Sequence, residues 1–365
     1  MKKILFILHY PPPVHGAAMV GKFIKESSLL NKTFDATYIN LSTSKDLKSG
    51  GRWGLGKTVT FYNLVKQVVT TLLKNDYDLC YMTMNSHGPG FYKDVVIATI
   101  LKLFRKKIVY HFHNKGVSLY QHQILDHLLY RFVFKNTKSI ILSRFLYPDI
   151  KRYVEEKNTF ICPNGIPRQY DTLPIHFSTG NASTKFQILF LSNMMKDKGV
   201  WILIEACKIL LEDGLTNFEC HFVGDWYDIQ PSNFSERVNE LGLKDHIFAH
   251  GKKYNTDKNT FFLKADVFVL PTLNEAFPLV NLEAMQFGLP VIATIEGGIP
   301  DVIVDGETGY LIKRNDPNDL ASKLKVLHDH PNNRKQMGYK GRERFLSLFT
   351  VDIFEQNLTR ILNKL

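Results

Sequence analysis

Short apolar runs alternate with longer stretches of helical period along almost the whole of this sequence, and that alternation restricts the fold more than any other feature. The runs Ile4–His9, Ala36–Leu41, Leu79–Met84, Lys107–Phe112 and Ser139–Leu142 read as strands of one parallel sheet. Between them, Ala17–Leu30, Thr58–Lys74, Lys93–Phe104 and Gln121–Phe134 read as its crossover helices. After the polar stretch His176–Lys185 a second series begins, with strands Gln187–Leu191, Glu219–Val223, Ile247–His250, Val267–Leu270, Pro290–Ala293 and Gly309–Ile312. Its helices are Gly199–Leu211, Ser235–Leu241, Leu279–Phe287, Asp316–His328 and Val351–Asn363. The fold class expected is α/β, as two Rossmann-like domains facing each other across a cleft. The expected boundaries are 1–170 and 171–349, with the helix within 350–365 packing back on the first domain. A length of 365 residues suits two cores.

Composition removes several classes. The cysteines Cys80, Cys162, Cys207 and Cys220 lie far apart, which fits neither a zinc site nor a disulfide framework and suits reduced thiols in cytosol. The start Met1–Leu8 reads as a first strand instead of a secretion signal. Apolar runs such as Val95–Ala98 are far shorter than the ~20 residues of a spanning helix. Charge is uneven: residues 1–170 hold 25 Lys and Arg against 10 Asp and Glu, while the remainder holds 21 against 25. A basic first half is either a solvated face with no partner or a surface for an anionic one, such as a membrane. Nucleic acid is not expected, because no zinc-finger spacing or RNP-type aromatic motif is present.

The strongest local pattern is Glu275-Ala276-Phe277-Pro278-Leu279-Val280-Asn281-Leu282-Glu283, which follows a strand and enters a helix. A turn before a helix N-terminus offers unbonded amides and a positive dipole end to a diphosphate. Carboxylates at Glu275 and Glu283 can accept from sugar hydroxyls. This segment resembles the E-x7-E signature of the retaining glycosyltransferases of the GT-B fold, family 4. Further stretches of the chain are similar to other segments of that family: Cys162-Pro163-Asn164-Gly165-Ile166, Phe190–Gly199, His221–Asp225, Gly297–Ile303 and Asp305–Gly309.

The resemblance implies a retaining, metal-independent transferase taking a hexose or HexNAc from a nucleotide sugar, UDP favoured, with no cofactor. Its acceptor would be a saccharide, such as a lipid-linked oligosaccharide of a bacterial surface polysaccharide, capsule or lipopolysaccharide. Lys198 would meet the donor diphosphate, Glu275 the transferred sugar, Glu283 the ribose, and backbone groups from Ala276 to Val280 the phosphates. Asn193 stands where the family often has a phosphate-binding arginine, and Gly16 is the one glycine of a loop where members often have two. Gly224 would also lie near the donor. His113, at a strand end, matches the family's histidine beside the donor sugar. His15, His111, Arg52 and Trp53 are candidates for acceptor contact. The protein is expected in the cytoplasm, peripheral to the inner membrane face.

Three alternatives stand beside this reading. A non-catalytic nucleotide-sugar-binding protein would carry the same site. Gly51-Arg52-Trp53-Gly54-Leu55-Gly56-Lys57-Thr58 matches the P-loop pattern of NTPases, but the residues before it are too polar for the buried strand a P-loop must leave. Asp76-Tyr77-Asp78 matches the D-x-D of metal-dependent transferases but precedes its strand instead of following it.

Overall fold

The computed structural model describes residues 1–42, 55–170 and 185–365, so Arg52, Trp53 and most of the P-loop match lie outside the described residues. The chain divides into two compact units, Met1–Gly165 with Val351–Leu365, and Ile166–Thr350.

The first unit is built on a parallel sheet of order β2-β1-β3-β4-β5-β6, with β1 Lys3–Leu8, β2 Asp35–Asn40, β3 Leu79–Met84, β4 Ile108–Phe112, β5 Lys138–Ile141 and β6 Thr159–Ile161. Helices cover both faces of such a sheet, so its central strands can be apolar throughout, and every residue of β3 and β4 is buried. The helical period over Ala17–Leu30 predicts one helix, but the chain forms two, Gly16–Glu26 and Ser28–Thr33. Ser27 makes the break: its backbone is extended and its hydroxyl accepts from the Leu30 amide at 3.2 Å, starting the second helix anew. Gly21 lets the first helix press on the sheet, since a Cβ there would sit 1.8 Å from the His9 carbonyl oxygen. The helix Val351–Lys364 lies against Ser28–Thr33, and Lys2 Nζ donates to the Leu362 carbonyl at 2.9 Å.

The D-x-D carboxylates have structural partners at the amino end of β3. Asp78 accepts from the Lys3 amide at 2.7 Å, and Asp76 pairs with Lys106. Ligand sites of parallel sheets lie at the opposite, carboxyl ends.

The second unit has a parallel sheet of order β12-β11-β10-β7-β8-β9, with β7 Phe186–Leu191, β8 Phe218–Val223, β9 Ile247–Ala249, β10 Val267–Leu270, β11 Val291–Thr294 and β12 Gly309–Ile312. In chain order this is the 3-2-1-4-5-6 arrangement of dinucleotide-binding folds, and the direction of winding reverses between β7 and β10. Helices Asn255–Lys264 and Pro331–Leu348 and the strand β6 were not expected from the sequence pattern. Two glycines sit inside Pro331–Leu348. At Gly338 a Cβ would meet the Gly288 carbonyl oxygen at 1.8 Å, so that glycine serves close packing and not a turn.

Beneath Asn255–Lys264, His221 Nδ1 lies 2.9 Å from His250 Nε2. His221 Nε2 lies 2.8 Å from Gln187 Oε1, and Gln187 Nε2 donates to Glu219 at 3.2 Å. The amide orientation fixed by Glu219 makes His221 Nε2 the donor, which leaves His221 Nδ1 to accept from His250. A proton on His221 Nδ1 would break this chain. Burial, and then the neighbouring His250, hold His221 below the usual 6.5, and burial with Lys253 does the same to His250. Both rings therefore hold a proton less readily in the folded chain than in the unfolded one. Their contribution is therefore complete above about pH 6.5 and is lost as pH falls. Thermal melts at pH 7.5 and 5.0 are expected to show a smaller loss for His250→Gln than for the parent. An equal loss would mean that the pair does not set the slope.

Candidate active site

The candidate donor site is assembled at the winding reversal, where the loops after β7 and β10 leave the carboxyl edge side by side. They are tied together by backbone. The Leu273 amide and Thr272 Oγ1 donate to the Asp197 carbonyl at 2.7 and 3.0 Å. Gly199 adopts φ +81°, and a Cβ on it would stand 2.0 Å from the Pro271 carbonyl oxygen. The two loops approach this closely only because residue 199 has no side chain.

That contact brings together two of the sequence candidates 77 positions apart. Lys198 Nζ donates to Glu275 Oε2 at 2.5 Å, and the two side chains are 22% and 20% exposed, so the pair is half-shielded yet reachable from solvent. Glu275 is held from behind as well: its amide donates to Glu296 Oε1 at 3.3 Å, and its Oε1 accepts from the Ala276 amide at 3.1 Å. Glu296 is buried and pairs with Arg314 at 3.5 Å, and Arg314 also donates to the Leu273 carbonyl. Gly297 passes beneath this loop at φ +52°, where a Cβ would lie 2.2 Å from the Glu275 carbonyl oxygen.

Three residues after Glu275, Pro278 begins the helix Leu279–Gln286, and no side chain caps it. Pro278 has no amide proton, so the Leu279 and Val280 amides stand at the positive end of the helix beside the Lys198–Glu275 pair. Ala276 and Phe277 are buried, with Phe277 against the Phe349 ring at 6.1 Å, so these two can offer a ligand backbone groups only. Glu283 lies on the same helix but pairs with a different cation, Lys258, at 2.9 Å. Gly224 is explained by packing, because a Cβ there would meet the Ser192 carbonyl oxygen at 1.7 Å. The Asn193 carbonyl accepts from the Met195 amide at 2.8 Å, closing the turn that leads to Lys198.

The histidine candidates all belong to the first unit. His111 is wholly buried, with Nδ1 on the Tyr81 hydroxyl, so it is enclosed within the sheet. The expectation that it touches an acceptor is corrected accordingly. The His113 ring lies tilted against it with centroids 4.2 Å apart and is only half-buried, at the carboxyl end of β4. Burial, then the nearby His15, push its pKa down to about 3, so its ring is neutral at physiological pH. His15 caps the helix after β1, accepting from the Ala18 amide at 3.4 Å, and Gly16 opens that helix with free space around its α-carbon.

Glu296, Arg314, Lys258 and Lys93 are neighbours of the candidate residues that sequence reasoning missed. Lys93 donates to the Leu41 carbonyl at 2.8 Å and depresses both His9 and His15 after burial has done so. Glu296 directly precedes the Gly297-Gly298 pair, which was its one available signal.

Two doubly wound parallel sheets are the architecture of the GT-B fold. Residues 171–344 match the family described as glycosyl transferases group 1. CapM of Staphylococcus aureus, a capsular polysaccharide biosynthesis glycosyltransferase, is 30% identical over 178 residues, covering 49% of this chain and 46% of CapM. The chain thus spans about half of that curated relative. Among solved structures, Anabaena HepE in complex with UDP-glucose aligns over 100% of both chains with TM-score 0.76 and 19% identity. Sucrose-phosphate synthase from Thermosynechococcus elongatus aligns over 100% of this chain and 99% of its own with TM-score 0.75, also at 19% identity.

Proposed function

We propose that this chain is a retaining, metal-independent glycosyltransferase of family 4. In this reading it moves a hexose or HexNAc from a nucleotide sugar, UDP-linked, to a saccharide acceptor such as a lipid-linked oligosaccharide of a bacterial surface polysaccharide. The observation that carries the reading is the Lys198–Glu275 pair beside the uncapped start of Leu279–Gln286. A diphosphate arriving there takes over the Lys198 ammonium and the Leu279 and Val280 amides, while Glu275 turns to the hydroxyls of the sugar. As the bond from C1 to phosphate breaks, negative charge grows on the leaving diphosphate, and Lys198 offsets it in a site already shaped for it. Glu283 accepts from the ribose. His113, uncharged, would offer a hydrogen bond to the sugar, as the family resemblance implies for it. UDP is favoured because HepE is described with it, and polysaccharide because CapM is named for it. No described helix is long and apolar enough to cross a membrane, so a lipid-linked acceptor would be met at the bilayer surface.

Proton NMR of the first product formed from a UDP-α-sugar, with EDTA present throughout, tests the reading. The expected product carries the α-linkage and forms at an undiminished rate. A β-linked product, or transfer abolished by EDTA, contradicts it.

A further inference from the structure

The first unit exposes an apolar face that its own fold leaves uncovered. On the helix Ile124–Phe134, Ile124, Leu125, Leu128 and Phe132 point outward, with exposures from 42% at Phe132 to 81% at Ile124. At 3.6 residues per turn they fall within about 100° of one another around the axis, and Arg131 and Lys135 border or enter the same arc. The helix Gly88–Leu103 extends the face with Val96 and Leu103. The two helices are linked: Lys102 donates to the Lys135 carbonyl at 2.6 Å and lies over the Phe132 ring at 5.5 Å, and Tyr92 hydrogen-bonds Asp126.

Scattered surface leucines need no explanation, but a contiguous patch does. Charge says what covers this one. Residues 85–138 hold nine Lys and Arg against two acidic residues, and both of those, Asp94 and Asp126, are buried. No carboxylate of this segment therefore faces outward to pair with the cations or to repel an anionic surface. A second copy of the chain would bring the same cations against themselves.

We propose that the face formed by Ile124–Phe134 and the end of Gly88–Leu103 docks on an anionic lipid bilayer. The leucines and Phe132 enter the headgroup boundary while Arg131, Lys135 and Lys102 lie among the phosphates. The proposal rests on the transferase reading only for its purpose, which is to hold the enzyme where a lipid-linked acceptor lies.

Sedimentation with phosphatidylcholine vesicles containing about one third phosphatidylglycerol tests it, against phosphatidylcholine alone. The full chain is expected to sediment with the anionic vesicles only and to be released by high salt. Arg131→Gln/Lys135→Gln is expected to weaken binding about thirty-fold, and Leu125→Ser/Leu128→Ser/Phe132→Ser at least about ten-fold. UDP binding by both variants should match the parent, since these positions belong to the first unit. The proposal is overturned if the parent ignores anionic vesicles, if the variants bind them as well as the parent does, or if sedimentation velocity shows a dimer that the triple variant disperses. Loss of UDP binding in the parent would instead count against the transferase reading and leave this result to stand alone.

Discussion

Lys198→Ala is expected to lower transfer about 10²- to 10³-fold, the cost of deleting one fixed stabiliser of charge that develops in the transition state. The loss should appear mainly in kcat. The parent lysine is already engaged by Glu275 at 2.5 Å, so in the ground state it exchanges one anion for another and gains little. Its advantage comes as the leaving diphosphate becomes more negative than the bound donor was. Glu275→Gln removes the holder of Lys198 and a charged acceptor of sugar hydroxyls, and should also cost orders of magnitude. Lys198→Arg keeps the charge but not the ammonium's geometry, and should recover part of the rate. Steady-state kinetics on the three variants checks this. A Lys198→Ala enzyme within a few fold of the parent in kcat would remove the residue from the chemistry.

Gly199→Ala is the second large effect, and it acts through the backbone. Two penalties coincide at this position: a left-handed φ of +81° and a Cβ placed 2.0 Å from the Pro271 carbonyl oxygen. The first costs about 1–2 kcal/mol, and the second adds overpacking of about 1–3 kcal/mol. For a unit of this size the melting temperature should fall by roughly 4–20 °C. Gly214 provides the control. It has nearly the same φ, +84°, and no atom lies within 4 Å of where its Cβ would stand, so Gly214→Ala carries the first penalty alone. Gly199→Ala should therefore melt well below Gly214→Ala, and it should also lose transfer because the loops carrying Lys198 and Glu275 are forced apart. Equal melting points for the two variants would show that the loops yield without cost.

Much of this architecture could be read from the sequence because buried parallel strands are nearly continuous apolar runs. Leu79–Met84 and Val267–Leu270 were placed to the residue for that reason, and Gly309–Ile312 was placed to the residue although it is an edge strand with Tyr310 and Leu311 only half-buried. Where the pattern failed, the cause was tertiary. Gly338 and Gly341 weaken the helical signal of Pro331–Leu348, yet Gly338 is there to touch Gly288. The helix Asn255–Lys264 is polar over most of its length and hides Lys258, the partner of Glu283. The strand Thr159–Ile161 lies at the sheet edge, half-exposed, without the apolar run of its neighbours. At the site, Lys198 and Glu275 were visible through a familiar motif. Glu296 and Arg314, which hold that loop from behind, were not, because an ion pair between buried and exposed residues leaves no local pattern. His111 shows the opposite error. Its spacing from His113 is right for a shared face, but that face lies inside the protein at His111 and reaches the edge only at His113.

Calorimetric titration of UDP into the parent and into Lys198→Ala, both in EDTA, bears most directly on the claim that the winding reversal of the second unit holds a nucleotide diphosphate. The parent is expected to bind one UDP without metal, and the variant to bind it at least about ten-fold more weakly, because UDP, unlike the intact donor, carries the charge of the leaving diphosphate that Lys198 offsets. Equal affinity in the two proteins, or binding that appears only when a divalent cation is restored, would contradict the account.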